Sequence, residues 1–197
     1  MTAAEPDRRT QILEAALACF LERGYRATTI ADIRAASGAT TGSIYHFFGN
    51  KAAIAHALLD KAVAGWTGAS IAAQEPGVTA ERAITAAVAG LVRWGLKNLA
   101  LLRFMDEIRT IADTDPDFAP VRSALAEGHK LGDRQYRLFA KRGEVKPMDF
   151  ALAHSLMLGP AYNYLRLIGN GAKATRDAPE ALARAGWDAV RATARRR

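Results

Sequence analysis

Apolar residues recur at helical spacing along the chain, alanine is abundant and β-branched runs are scarce. Together these features predict an all-α protein of about nine helices. The first helix is predicted to begin after Asp7 and to end at Gly24. Its apolar face is predicted to carry Ile12, Ala16, Cys19 and Phe20. Further helices are predicted over residues 51–68, 79–99, 101–111, 118–141, 147–168 (with Pro147 in its first turn) and 179–194.

Three stretches are predicted to lie outside these helices. Residues 1–6 precede the first helix cap and are predicted to form a disordered arm. The sequence Q-E-P-G at residues 74–77 combines two strong helix breakers and is predicted to be a loop. Residues 195–197 are three arginines, which form a basic tail after the last helix.

The stretch from Thr28 to Lys51 has the capping and helix-ending residues expected of two short helices joined by a tight turn. Thr29 is predicted to cap the first of them, and Asp32 stands where a capping-box acid returns to the free backbone amides. Ile33 is its predicted core anchor, and Gly38 supplies the left-handed conformation that ends many helices.

The second short helix is predicted to follow a cap at Thr40 or Thr41 and to stop at Gly49. Its apolar side is predicted to hold Ile44, Phe47 and Phe48. Its other side, with Gly42, Tyr45 and His46, is then expected to point outward. Asn50 is predicted to cap the next helix, with Lys51 in the first turn.

Two short helices around a Gly-containing turn, with a polar and aromatic outer face, are typical of a helix-turn-helix. Hydroxyl groups there can reach phosphates or base edges, and a helix start that carries a cation favours a phosphate. The alternative is an ordinary helical hairpin with surface side chains. The candidate DNA-contacting residues are Thr29, Thr40, Thr41, Gly42, Ser43, Tyr45, His46 and Lys51.

The sequence G-A-T-T-G-S-I-Y-H-F-F-G-N-K at residues 38–51 resembles the signature of TetR/AcrR-type transcriptional regulators, roughly G-V-S-x-G-[ST]-[LI]-Y-x-[HYF]-F-x-[SN]-K. The preceding T-T-I-A-D-I is similar to the start of that family's second helix. Two positions depart from the pattern, because Arg34 and Ser37 stand where the family usually has alanine. The resemblance implies a DNA-binding domain at 1–51 and a helical effector-binding and dimerisation domain at 52–197.

The same resemblance implies a ligand pocket among the helices after residue 51. Few charges interrupt the faces concerned, which favours a small apolar or aromatic effector. Each candidate is also a possible core residue. The candidate pocket residues are Trp66, Trp94, Phe104, Met105, Tyr136, Met157 and Tyr162.

The resemblance also implies a homodimer. The sequences R-G-E-V-K-P-M-D-F and M-L-G-P-A-Y-N-Y are similar to the connection and eighth helix of many family members. In that family two helices of each subunit form a four-helix interface, which here would use residues 148–169 and 179–194. The alternative is that these helices pack only within one chain.

Composition narrows the class of protein. The chain has 197 residues, of which half are hydrophobic, and its net charge of +7 is compatible with a nucleic-acid partner. Residues 1–51 hold only one of these excess charges, so the total does not locate a DNA site. The single Cys19 excludes an internal disulfide, and neither a signal peptide nor a membrane span is apparent. A cytoplasmic protein is expected.

Catalytic and metal-binding patterns are not found. Asp113, Asp115 and Asp117 alternate as in a calcium loop, but Phe118 and Ala124 stand where an EF-hand needs glycine and glutamate. The four histidines lack metal-ligand spacing, and G-N-G at 169–171 lacks the strand and the third glycine of a dinucleotide site. We therefore expect no enzyme, no cofactor and no metal.

The sequence thus predicts a dimeric, ligand-responsive regulator, most simply a repressor that a small molecule releases from a pseudo-palindromic operator. Two alternatives stay open. One is a helical small-molecule-binding protein that has lost sequence-specific DNA binding, which Arg34, Ser37 and the nearly neutral first domain would favour. The other is a small helical enzyme, which would need a catalytic constellation that the sequence does not show.

Overall fold

The computed structural model describes residues 7–193 except 71–76. Within these residues the predicted all-α class is confirmed, since the chain forms helices and one isolated bridge between Val145 and Arg191. The helices are α1 (Arg8–Arg23), α2 (Ile30–Ser37), α3 (Thr41–Phe48), α4 (Lys51–Ser70), α5 (Ala80–Lys97), α6 (Leu99–Ala112), α7 (Ala119–Lys141), α8 (Phe150–Gly169) and α9 (Ala178–Val190), with a short 3₁₀ helix at Pro116–Phe118.

Some sequence predictions fall outside this range or need correction. The arm at 1–6, the basic tail at 195–197 and most of the break at 74–77 lie outside the described residues. Pro147 precedes α8 instead of lying in its first turn. Asp149 caps that helix, because its carboxylate accepts hydrogen bonds from the backbone N–H groups of Ala151 and Leu152.

Contacts divide the chain into two compact units. The first takes in the described residues up to Val63 together with Ala100–Arg122, and the second takes in the described parts of Ala64–Leu99 and Ser123–Arg197. This division by packing differs from the boundary predicted after Lys51, which concerns the DNA-binding function and stays a prediction.

Aromatic rings fill the core of the first unit. Phe20 of α1 stacks on Phe104 of α6 with ring centroids 5.4 Å apart, and Tyr25 lies against both Phe20 and Phe118. Burying a ring of this size stabilises a fold by about 1.5–3 kcal/mol. Of the apolar residues predicted to face inward from the first three helices, Phe20, Ile33, Ile44 and Phe48 are buried.

In the second unit α5, α8 and α9 pack together at close range. At Gly186 of α9, a β-carbon would lie 2.7 Å from the carbonyl oxygen of Met157 in α8, which is closer than atoms approach. Gly95 of α5 is similarly covered by the Leu165 side chain. Small residues at these crossings let the backbones approach, and they hold the three helices in one register.

Candidate nucleic-acid interface

The start of α2 is fixed by the predicted capping box. The Thr29 hydroxyl oxygen accepts from the Asp32 backbone N–H at 3.2 Å, and Asp32 Oδ2 accepts from the Thr29 backbone N–H at 2.8 Å. The Thr29 hydroxyl also donates to Asp32 Oδ2, at 2.7 Å. These bonds hold the pKa of Asp32 below its usual value, helped by Arg23, whose Nη1 lies 2.8 Å from Oδ1. The Thr29 hydroxyl is therefore engaged in the cap of α2.

The turn between α2 and α3 uses the residues that the sequence suggested, and one of the departures from the family pattern as well. Gly38 adopts φ 64°, a left-handed conformation, and Ala39 is buried behind it. The Ser37 hydroxyl accepts the Ala39 backbone N–H at 3.2 Å. Thr40 then caps α3 by accepting the Ser43 backbone N–H at 3.1 Å. Ser37 thus contributes a bond to the turn.

Helix α3 buries one side and exposes the other. Ile44 and Phe48 are buried, whereas Tyr45 is 51% exposed. The prediction that Phe47 belongs to the apolar side is wrong, because Phe47 is 40% exposed, with its ring beside those of His46 and Phe48. The remaining candidates follow the predicted pattern: exposed at Thr40, Thr41, Gly42 and His46, and half-exposed at Ser43.

Internal packing does not explain Gly42. A β-carbon built at this position would meet no atom within 4 Å, and the residue lies in the first turn of α3 without a positive φ. Neither space nor backbone conformation within the described chain thus requires glycine. A bare backbone at the exposed start of a helix is suited to close approach by another molecule.

Lys51 makes hydrogen bonds within the chain that the sequence did not suggest. Its Nζ donates to the carbonyl oxygens of Tyr25, Arg26 and Thr28, at 2.8, 3.3 and 2.8 Å, and lies 4.4 Å from the centre of the Tyr25 ring. An ammonium group has three N–H bonds, and these contacts use all of them. A phosphate contact by Lys51 stays a prediction, and it requires at least one of these bonds to break.

The same turn, residues 25–28, is held from a second side by α6. Glu107 Oε1 accepts the backbone N–H of Tyr25 at 2.6 Å. Burial, with a smaller effect from the charges of Asp117 and Asp115, raises the pKa of Tyr25 to about 12. Because its phenol stays neutral at ordinary pH, Tyr25 belongs with the apolar rings around it.

Two residues at this interface were not on the candidate list. Thr28 is buried, and its hydroxyl lies 2.8 Å from the carbonyl oxygen of Gly24 and 3.1 Å from that of Cys19, so it closes the end of α1. The Arg9 guanidinium lies over the Phe48 ring at 5.2 Å, which brings a cation beside the end of α3. A helical pattern shows that Arg9 is on a surface but does not show which element it will meet.

The start of α4 agrees with its prediction, because Asn50 Oδ1 accepts the backbone N–H of Ala53 at 2.8 Å. Asn50 therefore caps α4 and leaves its side chain directed at the helix. This cap, the α2 capping box and the Thr40 cap give the three helix starts between residues 29 and 51 side-chain oxygens as hydrogen-bond acceptors.

The predicted pocket residues are divided between the two units. Phe104 and Met105 lie in the first unit, where Phe104 is fully buried and stacks on Phe20, so it belongs to the core there. The others lie in the second unit, where Tyr136 and Met157 are buried and Trp66, Trp94 and Tyr162 are half-exposed. Tyr136 also lines an open depression beside the end of α7. The pocket stays a prediction.

The described residues contain no group of three or more histidine, cysteine, aspartate or glutamate side chains placed to hold a metal. In the same residues, no helix is both long enough and apolar enough to cross a membrane.

Comparison with known proteins gives the site its context. A family model described as bacterial regulatory proteins, tetR family, matches residues 12–58. The HTH-type transcriptional repressor KstR2 of Rhodococcus jostii is 43% identical over 58 residues, which are 29% of this chain and 28% of that protein. The HTH-type transcriptional regulator TtgR of Pseudomonas putida is 50% identical over 54 residues, 27% of this chain. The chain thus spans only 28% and 26% of the length of these curated relatives.

Solved structures extend the likeness to the whole fold. A TetR family transcription regulator from Marinobacter aquaeolei superposes with a TM-score of 0.75 at 21% identity, over 94% of this chain and 96% of that one. The ketosteroid transcriptional regulator KstR2 of Mycobacterium tuberculosis gives 0.74 at 20% identity, over 98% and 100%. At these identities the likeness is one of fold.

Proposed function

Because this chain belongs to the TetR family of bacterial regulatory proteins, we propose that it is a transcriptional repressor that binds operator DNA through α2 and α3. The observation that carries the proposal is the outer face of α3. It exposes an aromatic ring, an imidazole and the Thr41 hydroxyl around a glycine that nothing in the described part of the chain requires. A helix of this kind fits the major groove, where hydroxyl and aromatic side chains meet base edges.

In this proposal the residues of α3 divide between base edges and backbone. Tyr45 and Thr41 bear on base edges and nearby phosphates, and His46 and Ser43 bear on the DNA backbone. Gly42 lets the helix start approach a phosphate, which its free N–H groups favour. Lys51 and Thr29 support the arrangement from within, through the bonds that hold the turn at 25–28 and the α2 cap.

We further propose that the repressor is a homodimer through α8 and α9. Leu152, Leu156 and Leu167 of α8 are exposed, and they follow one another at spacings that keep them on one side of the helix. An apolar stripe of this kind is suited to a second copy of the same helix. Two-fold symmetry would then present two copies of α3 to successive major grooves, about 34–36 Å apart.

A small molecule would control this repressor by linkage. An effector that binds more tightly to an arrangement of the dimer unsuited to the operator must weaken operator binding by the same factor. The KstR2 of M. tuberculosis is named for ketosteroids. The 43% identity to its R. jostii namesake covers 58 residues, 29% of this chain, so it carries no information on the effector of this chain. An apolar or aromatic effector remains our proposal, and we assign the protein no catalytic step.

The test is binding of the purified chain to the DNA upstream of its own gene, across a salt series. A repressor should prefer one sequence, and its affinity should fall steeply with salt. Replacing Tyr45 with alanine should then lower operator affinity by about 1–3 kcal/mol without changing helicity or oligomeric state. Leu131→Ala, at an exposed position of α7, is the matched control and should leave affinity unchanged.

Two outcomes would contradict the proposal in different ways. If Tyr45→Ala keeps full operator affinity, α3 is not the reading helix. If the chain binds every fragment from a genome-wide selection weakly and without preference, it is a helical ligand-binding protein that no longer reads DNA.

A further inference from the structure

The second unit contains an open groove between α5 and α9 that the proposed function does not use. Its volume is about 430 Å³, which lies within the range of small-molecule sites. None of the residues predicted to line an effector pocket belongs to it. The lining residues are Glu81, Arg82, Thr85, Ala86, Ala89, Arg93, Glu180, Ala183, Arg184 and Trp187.

The middle of the groove is apolar. Ala89 of α5 and Ala183 of α9 are both buried and both line the groove, so small side chains form its floor. Trp187 is half-buried and also lines the groove. Small side chains below and an indole beside them favour a planar, aromatic occupant, since such a ring gains both apolar contact and stacking.

The charges along the groove favour an anion. Three arginines and two glutamates leave an excess of one positive charge. Arg93 and Glu180 neutralise each other in an ion pair. Arg184 is exposed, and no carboxylate lies within salt-bridge distance of it in the part of the chain that the structure describes. A guanidinium beside an apolar floor is a receptor for a carboxylate, which it can bind through two parallel hydrogen bonds.

A second open depression of the same volume lies beside the end of α7. Its Arg137 is already bound to Asp133, with Nε 2.9 Å from both carboxylate oxygens. The Tyr136 hydroxyl donates to the carbonyl oxygen of Lys146 at 2.8 Å. The other cation there is Lys141, a point charge without the planar fork of a guanidinium. Of the two sites, the α5–α9 groove is thus the one with a guanidinium, that of Arg184, that makes no ion pair within the described residues.

We propose that the α5–α9 groove binds a planar aromatic carboxylate. The ring lies on Ala89 and Ala183 against Trp187, and the carboxylate accepts hydrogen bonds from Arg184. This site goes beyond the proposed function, because it needs neither DNA nor the predicted pocket. Its failure and the failure of DNA binding are therefore separate results.

The experiment uses the full chain and the probe 2-naphthoate, with 2-naphthamide as an uncharged control of the same shape. Calorimetric titration should show saturable binding of the carboxylate and at least roughly tenfold weaker binding of the amide, as expected for loss of a charge-assisted pair. Arg184→Gln should weaken naphthoate binding by a similar factor. Arg134→Gln, at an exposed position of α7, should not.

Nuclear magnetic resonance of the indole N–H groups then locates the ligand, since the chain has three tryptophans. The Trp187 signal, assigned with Trp187→Phe, should shift on titration, while those of Trp66 and Trp94 should not. The proposal is overturned if naphthoate does not bind at millimolar concentration, if the amide or the Arg184 variant binds equally well, or if only Trp66 or Trp94 responds.

Discussion

At the scale of single residues, a change at Gly42 distinguishes what the fold requires from what a DNA partner requires. It occupies the second position of α3, in open space and with an ordinary helical backbone. Gly42→Ala should therefore raise the free energy of unfolding by about 0.5–1 kcal/mol, because alanine loses less backbone entropy in a helix. It should also lower operator affinity roughly tenfold, because the added methyl group meets the DNA backbone.

Urea unfolding and operator titration measure these two effects. Gly128→Ala is the matched control, since Gly128 is also in a helix and in open space. It should give the gain in stability with no change in affinity. A Gly42→Ala variant that binds the operator as tightly as the natural chain would mean that nothing approaches α3 at this position.

For Lys51, in contrast to Gly42, we expect the main effect of a substitution to be a loss of stability. Lys51→Ala removes three hydrogen bonds from a charged donor and should lower the free energy of unfolding by about 2–3 kcal/mol. Lys61→Ala, at an exposed position of the same helix, should change stability by less than about 0.5 kcal/mol.

The salt dependence of operator binding decides whether Lys51 also touches a phosphate. If its bonds to the turn persist in the complex, the slope of log affinity against log salt should be the same for Lys51→Ala and the natural chain. A slope that falls by about one unit would establish the phosphate contact and contradict the purely structural role.

These residues also show what could be predicted from sequence. The caps at Thr29 and Thr40 and the turn at Gly38 involve neighbours along the chain, so residue type and spacing were sufficient. Lys51 reaches a turn more than twenty residues away, and a short-range pattern does not show such a destination. Phe47 and Phe48 were both predicted to lie on the apolar side of their helix, yet of the two only Phe48 is buried.

At the scale of elements, the segment from Arg142 to Lys146 connects α5 and α9 of the second unit. Glu144 Oε2 accepts the backbone N–H of Ala80 at the start of α5, and Oε1 lies 2.6 Å from Arg142 Nε. Lys146 Nζ donates to the carbonyl oxygen of Ala189 near the end of α9, at 3.1 Å. The Glu144 carboxylate lies at the start of α5 and the Lys146 ammonium lies near the end of α9. Both arrangements are electrostatically favourable, because the helix dipole is positive at its start and negative at its end.

Glu144→Gln keeps the shape of this side chain but removes its charge. We expect the free energy of unfolding to fall by about 1–2 kcal/mol, because both the helix-start interaction and the Arg142 pair weaken. Glu127→Gln, which removes a carboxylate paired with Lys130 on the exposed surface of α7, should leave the free energy of unfolding nearly unchanged, because water screens an exposed pair. If denaturant unfolding shows the same loss of stability for both variants, Glu144 does not stabilise the connection between α5 and α9.

Helix periodicity predicted these elements but not their partners. A helix was predicted over residues 101–111, and Phe104 was placed in a ligand pocket because the family resemblance implies one among the helices after residue 51. In the structure Phe104 stacks on Phe20. A period of 3.6 residues shows that one face is buried, whereas the element that covers it depends on contacts distant in sequence.

At the scale of the whole molecule, the exposed leucines of α8 lead to a prediction about assembly. Leu156→Arg should convert the dimer to a monomer in sedimentation equilibrium, because it places a charge within the proposed apolar interface. The folded monomer should survive, since Leu156 is already exposed within the chain. Leu131→Arg on α7 is the matched control, with a leucine that is also exposed.

Sedimentation distinguishes the possible interfaces directly. A dimer that persists in Leu156→Arg but dissociates in Leu131→Arg would place the contact on α7. A natural chain that is monomeric at high concentration would refute the dimer altogether.

The all-α class and the family could be predicted because they depend on composition and on the residues between 28 and 51. The grouping of Ala100–Arg122 with the N-terminal helices could not. It rests on rings, a carboxylate and a hydroxyl contributed by α6 and the loop after it, and nothing in their own neighbourhood marks them as partners of α1.

Lys51 and Glu107 both form hydrogen bonds to main-chain groups of the turn at residues 25–28. Lys51 binds carbonyl oxygens and Glu107 binds an N–H, so these hydrogen bonds do not depend on the side chains that α3 exposes. Further attachment is made by the Phe20 and Tyr25 rings, which lie in α1 and the turn and not on the outer face of α3. If α3 reads an operator, as we propose, its exposed residues can change and recognise a new sequence without altering the contacts that hold the turn.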